Sequence, residues 1–187
     1  MMSTKQLSVL LLLFTAFFLG CEKEIQTISE ESTPTLLLES GAGDFTPDSY
    51  CGTAQSVSLL HKGASKGSVS ILNTSTDLYL VLDMNQGVFL ESIFAQFGPA
   101  SNAPLDASGN LALEEFDFQV AVSGSGSSLY TIQVPTSEIA NCNDILLSAM
   151  VSERNHFGQV TSSYQVWIDG TDHLDGFYHA YCTQVCN

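Results

Sequence analysis

Residues 116–122 read Phe-Asp-Phe-Gln-Val-Ala-Val, with a large apolar side chain at every second position. Only an extended strand places alternate side chains on one face, so this run predicts a β-strand with one buried side. The pattern recurs at Tyr130, Ile132 and Val134, at Ile145, Leu147, Ala149 and Val151, and at Tyr164, Val166 and Ile168. Val69 and Ile71 mark another strand, and Leu78 to Leu82 is apolar on both faces, as a central strand would be. Val88 to Phe97 is a long apolar run, and Tyr178 to Cys182 reads as the last strand. Turn residues separate these runs: Asn73 to Asp77, Asn85-Gln86-Gly87, Gly124-Ser125-Gly126 and Arg154 to Gly158. Gly124-Ser125-Gly126 predicts that the strands on either side of it form a hairpin. Short strands at such intervals predict one antiparallel β-sandwich, all-β, over residues 49–187.

Composition limits what such a domain can meet. Twenty acidic and five basic residues give a formal net charge of -15. Phosphate backbones demand clustered Lys and Arg, so nucleic acid is excluded as a partner class. An acidic membrane surface would repel the domain as well. Apolar content of 44% with 13% charged residues is enough for a packed core.

The N-terminus carries a different signal. Lys5 precedes an apolar run from Leu7 to Leu19, thirteen residues long. A spanning helix needs about 20, so the run reads as the core of a signal peptide over residues 1–20. Phe18-Leu19-Gly20-Cys21 resembles the lipobox of bacterial lipoproteins, with Phe18 where leucine is usual. The resemblance implies cleavage before Cys21, acylation of its sulfur and anchoring to a membrane through that lipid. Each buried methylene contributes about 0.8 kcal/mol, and two or more chains make the anchor stable.

Residues 21–48 follow as an acidic linker headed by the lipidated Cys21. Glu22, Glu24, Glu30, Glu31, Glu39, Asp44 and Asp48 face a single Lys23, and Ser, Thr and Pro fill much of the rest. Such a segment cannot bury enough apolar surface to fold alone. Leu36-Leu37-Leu38 is the exception, a run able to dock on the domain. Cys21-Glu22-Lys23-Glu24 resembles the Lys/acid-rich surface-export signal of Bacteroidota lipoproteins, which implies the outer membrane or cell surface; a plain solvated linker has the same composition.

Five cysteines is an odd number. Removing Cys21 leaves Cys51, Cys142, Cys182 and Cys186, which permit two disulfides in three connectivities. Disulfides imply an oxidising compartment. A bond between the two ends of the domain would staple the sandwich, but spacing alone does not assign partners.

A second resemblance covers most of Cys51 to Cys186. It rests on Cys51-Gly52-Thr53, Leu59-Leu60 with Gly63, Gly67-Ser68-Val69-Ser70-Ile71, Asn73, Leu78-Tyr79-Leu80, Pro104 with Gly109-Asn110, Trp167, Tyr178 and Tyr181-Cys182-Thr183-Gln184-Val185-Cys186. Together these resemble a secreted domain common in Bacteroidota surface proteins. Ser148 stands where that pattern has a histidine. The resemblance implies location and fold, and it brings no activity.

No catalytic motif emerges. The Gly/Ser run at Ser123 to Ser128 lacks the G-x-S-x-G elbow, and His61, His156, His173 and His179 form no metal pattern. His61 and His156 sit near turns and read as surface residues. Glu114 and Glu115 are adjacent, so on a strand they would point to opposite faces. No resident cofactor is expected beyond the covalent lipid. Asp106, Ser108 and Asn110 alternate oxygen ligands in the manner of a calcium loop, although Leu111 stands where an EF-hand has glycine. The acidic stretch Asp169 to Asp175 offers further oxygens but matches no standard loop.

Trp167 is out of phase with Tyr164, Val166 and Ile168, and so shares a face with Gln165 and Asp169. Beside polar groups it suits stacking on a sugar ring or anchoring a protein contact. The alternative is a Trp packed under a loop. The expectation is a lipid-anchored, non-enzymatic binding or adhesion domain for a glycan or surface protein. The other two classes are a surface hydrolase acting on polysaccharide through a carboxylate site and a structural envelope protein.

Overall fold

The computed structural model describes residues 49–122 and 127–186. Cys21, the signal segment and the linker lie outside the described residues. Ten antiparallel strands make up the domain: β1 (Cys51–His61), β2 (Ala64–Asn73), β3 (Asp77–Met84), β4 (Val88–Gly98), β5 (Phe118–Ala121), β6 (Leu129–Pro135), β7 (Cys142–Arg154), β8 (Val160–Ile168), β9 (Thr171–His173) and β10 (Gly176–Cys182). Two short 3-10 turns, Ala100–Asn102 and Leu113–Glu115, lie on the connection between β4 and β5.

The strands hydrogen-bond in the order β5-β4-β7-β8-β1-β2-β3-β6, while β10 pairs with β7 and β9. The all-β antiparallel expectation therefore holds, with both layers belonging to one continuous sheet curled into a half-barrel. The layers join where β8 meets β1, through Leu59 opposite Ile168 and Leu60 opposite Trp167. The Asp169 amide extends this seam by donating to the Ser58 carbonyl over 2.8 Å.

Period-two patterning explains the core. Val69 and Ile71 of β2, Leu78, Leu80 and Leu82 of β3 and Ile132 of β6 face Leu90 and Ile93 of β4, Leu147 and Val151 of β7 and Val166 of β8. Each such side chain, fully buried, contributes about 1.5–3 kcal/mol. As expected, β3 is an interior strand, flanked by β2 and β6.

The expected hairpin across Gly124-Ser125-Gly126 does not form. Strand β5 pairs with β4 and β6 pairs with β3, at opposite ends of the strand order. Ser127 bridges to Leu90 of β4, whereas Leu129 already pairs with Asp83 of β3. The segment thus crosses from one layer to the other. Burial decides this: Phe118 and Ile132 both enter the core, but from opposing layers.

Glu114 and Glu115 also differ from expectation. They lie on a 3-10 turn rather than a strand, and both are exposed.

The barrel has two distinct ends. At one, Cys51 is bonded to Cys186 and Cys142 to Cys182, with Cα separations of 4.4 and 4.0 Å. Of the three possible connectivities, this one joins the two chain ends of the domain. The described chain begins at Ser49, two residues before Cys51, so the linker arrives at this disulfide end. The other end carries the β1–β2, β3–β4 and β7–β8 turns. The β1–β2 turn is two residues long, Lys62 and Gly63, with φ of 50° and 80°. Positive φ at both positions matches the strand twist, and glycine adopts it without strain. Strand β7, 13 residues long, runs from the disulfide end to the turn end, a distance of roughly 40 Å at about 3.3 Å per residue.

Candidate binding surface

The turn end gathers charged groups from four neighbouring strands. Tyr164 of β8 donates its hydroxyl to Glu153 Oε1 of β7 at 2.6 Å, and Lys66 of β2 donates to the same oxygen at 2.9 Å. Ser162 donates to Glu153 Oε2 at 3.2 Å. Lys66 also lies over the Tyr164 ring, 5.0 Å from its centroid. His61, at the end of β1, packs its ring 4.4 Å from that of Tyr164, and its Nδ1 meets the Gln165 carbonyl at 2.8 Å. His61 is therefore half-buried in a network, not the plain surface residue its position near a turn suggested. A second network involves the other face of β7, where Ser152 and Arg154 both donate to Glu91 Oε1, over 2.5 and 3.2 Å.

These partners set the protonation states. The Tyr164 hydroxyl, then the Lys66 ammonium, hold the Glu153 carboxyl down at about 2. Hydrogen bonding from Ser152, then Arg154, lowers Glu91. Burial, then the Glu153 carboxylate, raises Tyr164. Both carboxylates are firmly ionised acceptors at neutral pH. A glycoside hydrolase pairs an ionised carboxylate with a second carboxyl raised so that it can donate a proton, and neither Glu153 nor Glu91 is raised.

Beyond this network the β7–β8 hairpin projects an aromatic residue. The Asn155 side chain organises the tip: its Oδ1 accepts from the Phe157 and Gln159 amides at 3.0 Å each, and its Nδ2 donates to Gln159 Oε1 at 3.1 Å. Phe157 is 76% exposed at this tip, with the His156 ring 3.8 Å from its own. Val160 is exposed at the root of the same hairpin, and Lys62 is exposed on the β1–β2 turn. All three cations after residue 48, Lys62, Lys66 and Arg154, belong to this end, against thirteen acidic residues spread over the domain.

The Trp167 face is built differently. Strand β8 points Gln165 and Trp167 away from the interlayer core. Gln165 donates to Ser148 Oγ at 2.8 Å, and buried Ser148 donates to the Val166 carbonyl at 3.1 Å. Trp167 packs with Tyr178, Phe94 and Leu113 on a second cluster formed by Ala100, Ala103, Leu111, Phe116 and Leu146. The β4–β5 connection supplies most of that cluster, so the ring is half-buried beneath a loop. A methyl on Gly176 would stand 2.6 Å from Trp167 Cζ3 and 2.8 Å from Leu111 Cδ1. Asp169 is exposed just beyond the strand, held by its amide rather than its carboxylate.

The Asp106 loop spends its oxygens on itself. Asp106 Oδ1 accepts from the Ser108 and Asn110 amides at 2.7 and 3.0 Å, and Oδ2 accepts from Asn110 Nδ2 at 3.3 Å. The Asn110 amide is the main cause of a lowered Asp106 carboxyl. Asp175 is likewise engaged, its Oδ1 accepting from the Leu111 amide at 3.0 Å. Among the described residues no three His, Cys, Asp or Glu side chains converge as a metal site would require.

At the disulfide end a cleft of about 530 Å³ is lined by Tyr50, Cys51, Gly52, Thr74, Val185 and Cys186. It is shallow and lacks charged groups.

Sequence reasoning missed the Phe157 tip and the Glu153 network. An aromatic inside an Asn-His-Phe-Gly turn is the signal that could have shown the first. Nothing local shows the second, because Lys66 and Glu153 are 87 residues apart. Comparison with protein-family models, with curated proteins and with solved structures yields no match for this chain.

Proposed function

We propose that this chain is a lipoprotein of the outer membrane or cell surface, anchored by acyl chains on Cys21, whose β domain is a non-enzymatic binding or adhesion module. Its contact surface is the turn end of the half-barrel, and its partner is a glycan or a surface protein. The observation that carries the reading is Phe157, a large aromatic left 76% exposed on a hairpin that its own Asn155 holds in shape. Exposed aromatics on rigid supports are typical anchors of recognition, because they offer apolar area at little entropic cost.

Two further observations support it. The tip lies roughly 40 Å from the end where the linker arrives, so an anchored domain would hold it outward. The two disulfides suit an oxidising location.

The test is binding of the purified chain, from residue 22 onward, to a glycan array and to intact bacterial and host cells. Phe157→Ala should lower binding about tenfold or more, on the scale of about 1.4 kcal/mol per decade. Binding unaffected by Phe157→Ala defeats the tip assignment. Turnover of a glycan by the wild type defeats the non-enzymatic reading.

A further inference from the structure

The two disulfides present their sulfurs to solvent differently. In Cys51–Cys186 one half is sealed: Cys51 keeps 3% of its surface, and only Cys186 is exposed. In Cys142–Cys182 both cysteines are exposed. These two stand directly opposite each other in the register of β7 and β10. The Thr183 amide donates to the Asn141 carbonyl at 2.8 Å, so the next pair along, Cys142 and Cys182, is a non-hydrogen-bonded one. Such pairs hold their Cα atoms about 4.5 Å apart whether or not a bond joins the side chains. A groove of about 180 Å³ opens beside the bond, lined by Pro99, Asp144, Ala180 and both cysteines.

We propose that Cys142–Cys182 is a thiol–disulfide exchange site, opened and reclosed by an external dithiol while the domain stays folded. One thiolate of the dithiol enters the groove and attacks one of the two sulfurs. A bond forms between the attacking sulfur and that cysteine, the Cys142–Cys182 bond breaks, and the other cysteine leaves as a thiolate. The second thiolate of the dithiol then attacks its own partner sulfur in the mixed disulfide and expels the first cysteine. Cys142 and Cys182 gain two electrons and the two thiol protons, and the dithiol becomes a disulfide. Exposure matters twice, because the attacker needs an open approach to one sulfur and the departing thiolate needs water around it. Cys51–Cys186 fails the second need: attack at Cys186 would expel a thiolate into the buried surroundings of Cys51. A monothiol serves poorly, since the displaced cysteine stands directly opposite the mixed disulfide and returns to it.

Opening this bond leaves β10 in place. The Tyr181 hydroxyl and the Gln184 amide both donate to Asn73 Oδ1 at 2.8 Å, and Asn73 Nδ2 donates to the Gln184 carbonyl at 3.0 Å. Tyr181 is itself buried in the interlayer core. Cys51–Cys186 still joins the two ends of the domain. The exchange therefore uncovers a pair of thiols on an intact fold.

The experiment uses the full chain carrying Cys21→Ala, which has no cysteine beyond the four bridged ones. It is treated with dithiothreitol at neutral pH without denaturant, quenched with iodoacetamide at intervals and mapped by mass spectrometry. Emission of Trp167, the single Trp, is followed in parallel. The ring packs on Tyr178 and against Gly176 of β10, so it reports whether that strand stays seated. Alkylation should reach Cys142 and Cys182 about tenfold or more faster than Cys51 and Cys186, before any change in emission. Equal rates, earlier alkylation of Cys51 and Cys186, or no alkylation until the emission becomes that of the urea-unfolded chain overturn the proposal. The monothiol 2-mercaptoethanol, at the same thiol concentration, should open the bond about tenfold less. Equal opening overturns the assignment to a dithiol.

Discussion

The Tyr164 hydroxyl and the Glu153 carboxylate, 2.6 Å apart, tie β8 to β7 at the root of the hairpin that carries Phe157. Lys66 adds β2 to the same carboxylate. The consequence is a defined acid dependence. Glu153 is held near 2 when folded, against an ordinary 4.5. A depressed carboxylate contributes its full stability above the unfolded value and loses it as pH falls toward the folded one. The melting-temperature gap between wild type and Glu153→Gln should therefore be widest above pH 4.5 and close between pH 4.5 and 2. A gap constant across that range in thermal scans contradicts the network.

Gly176 lies against the Trp167 ring with no room for a side chain. Gly176→Ala should destabilise the domain by about 1–3 kcal/mol, the usual cost of overpacking. Urea unfolding measures the loss, and the emission of this single Trp should shift as the ring is displaced. An unchanged midpoint and spectrum would mean that Trp167 is not pinned there.

The disulfides should differ in weight. Cys51–Cys186 spans 135 residues and Cys142–Cys182 spans 40. Chain entropy gives about 5 and about 4 kcal/mol respectively, as upper values. Replacing the first pair by alanine should lower the unfolding midpoint more than replacing the second. The reverse order in parallel denaturation curves would show that native contacts around Cys142, rather than loop length, dominate.

Phe157 touches little of the domain it sits on. Phe157→Ala should change stability by less than about 0.5 kcal/mol, as surface substitutions do. A larger loss in the same denaturation assay would make the residue structural and weaken its reading as a contact.

The sequence announced strands wherever one face is buried and the other wet. Tyr164, Val166 and Ile168 of β8 follow that rule, whereas β7 keeps the alternation of its core-facing residues but also buries Leu146, Ser148 and Ser152 on its other face. Pairing was less legible. Phe118 and Ile132 belong to runs joined by a glycine-rich turn, and local chemistry favours a hairpin, but the layers compete for the two strands and separate them. Strand β1 escaped notice because its first half, Gly52 to Ser56, is largely exposed and interrupted by a register shift. The phase of Trp167 was readable, whereas its loop cover was not, since Leu111 and Ala103 reach it only through the fold. The Glu153 network needed three-dimensional information, because its members come from distant strands.

The central claim is that the domain is exported and held by a lipid on Cys21, and metabolic labelling with an alkyne analogue of palmitate tests it most directly. Wild-type protein should take up label and partition with membranes, while Cys21→Ala should remain unlabelled. A wild-type chain recovered without label, with its N-terminus uncleaved, would contradict the account.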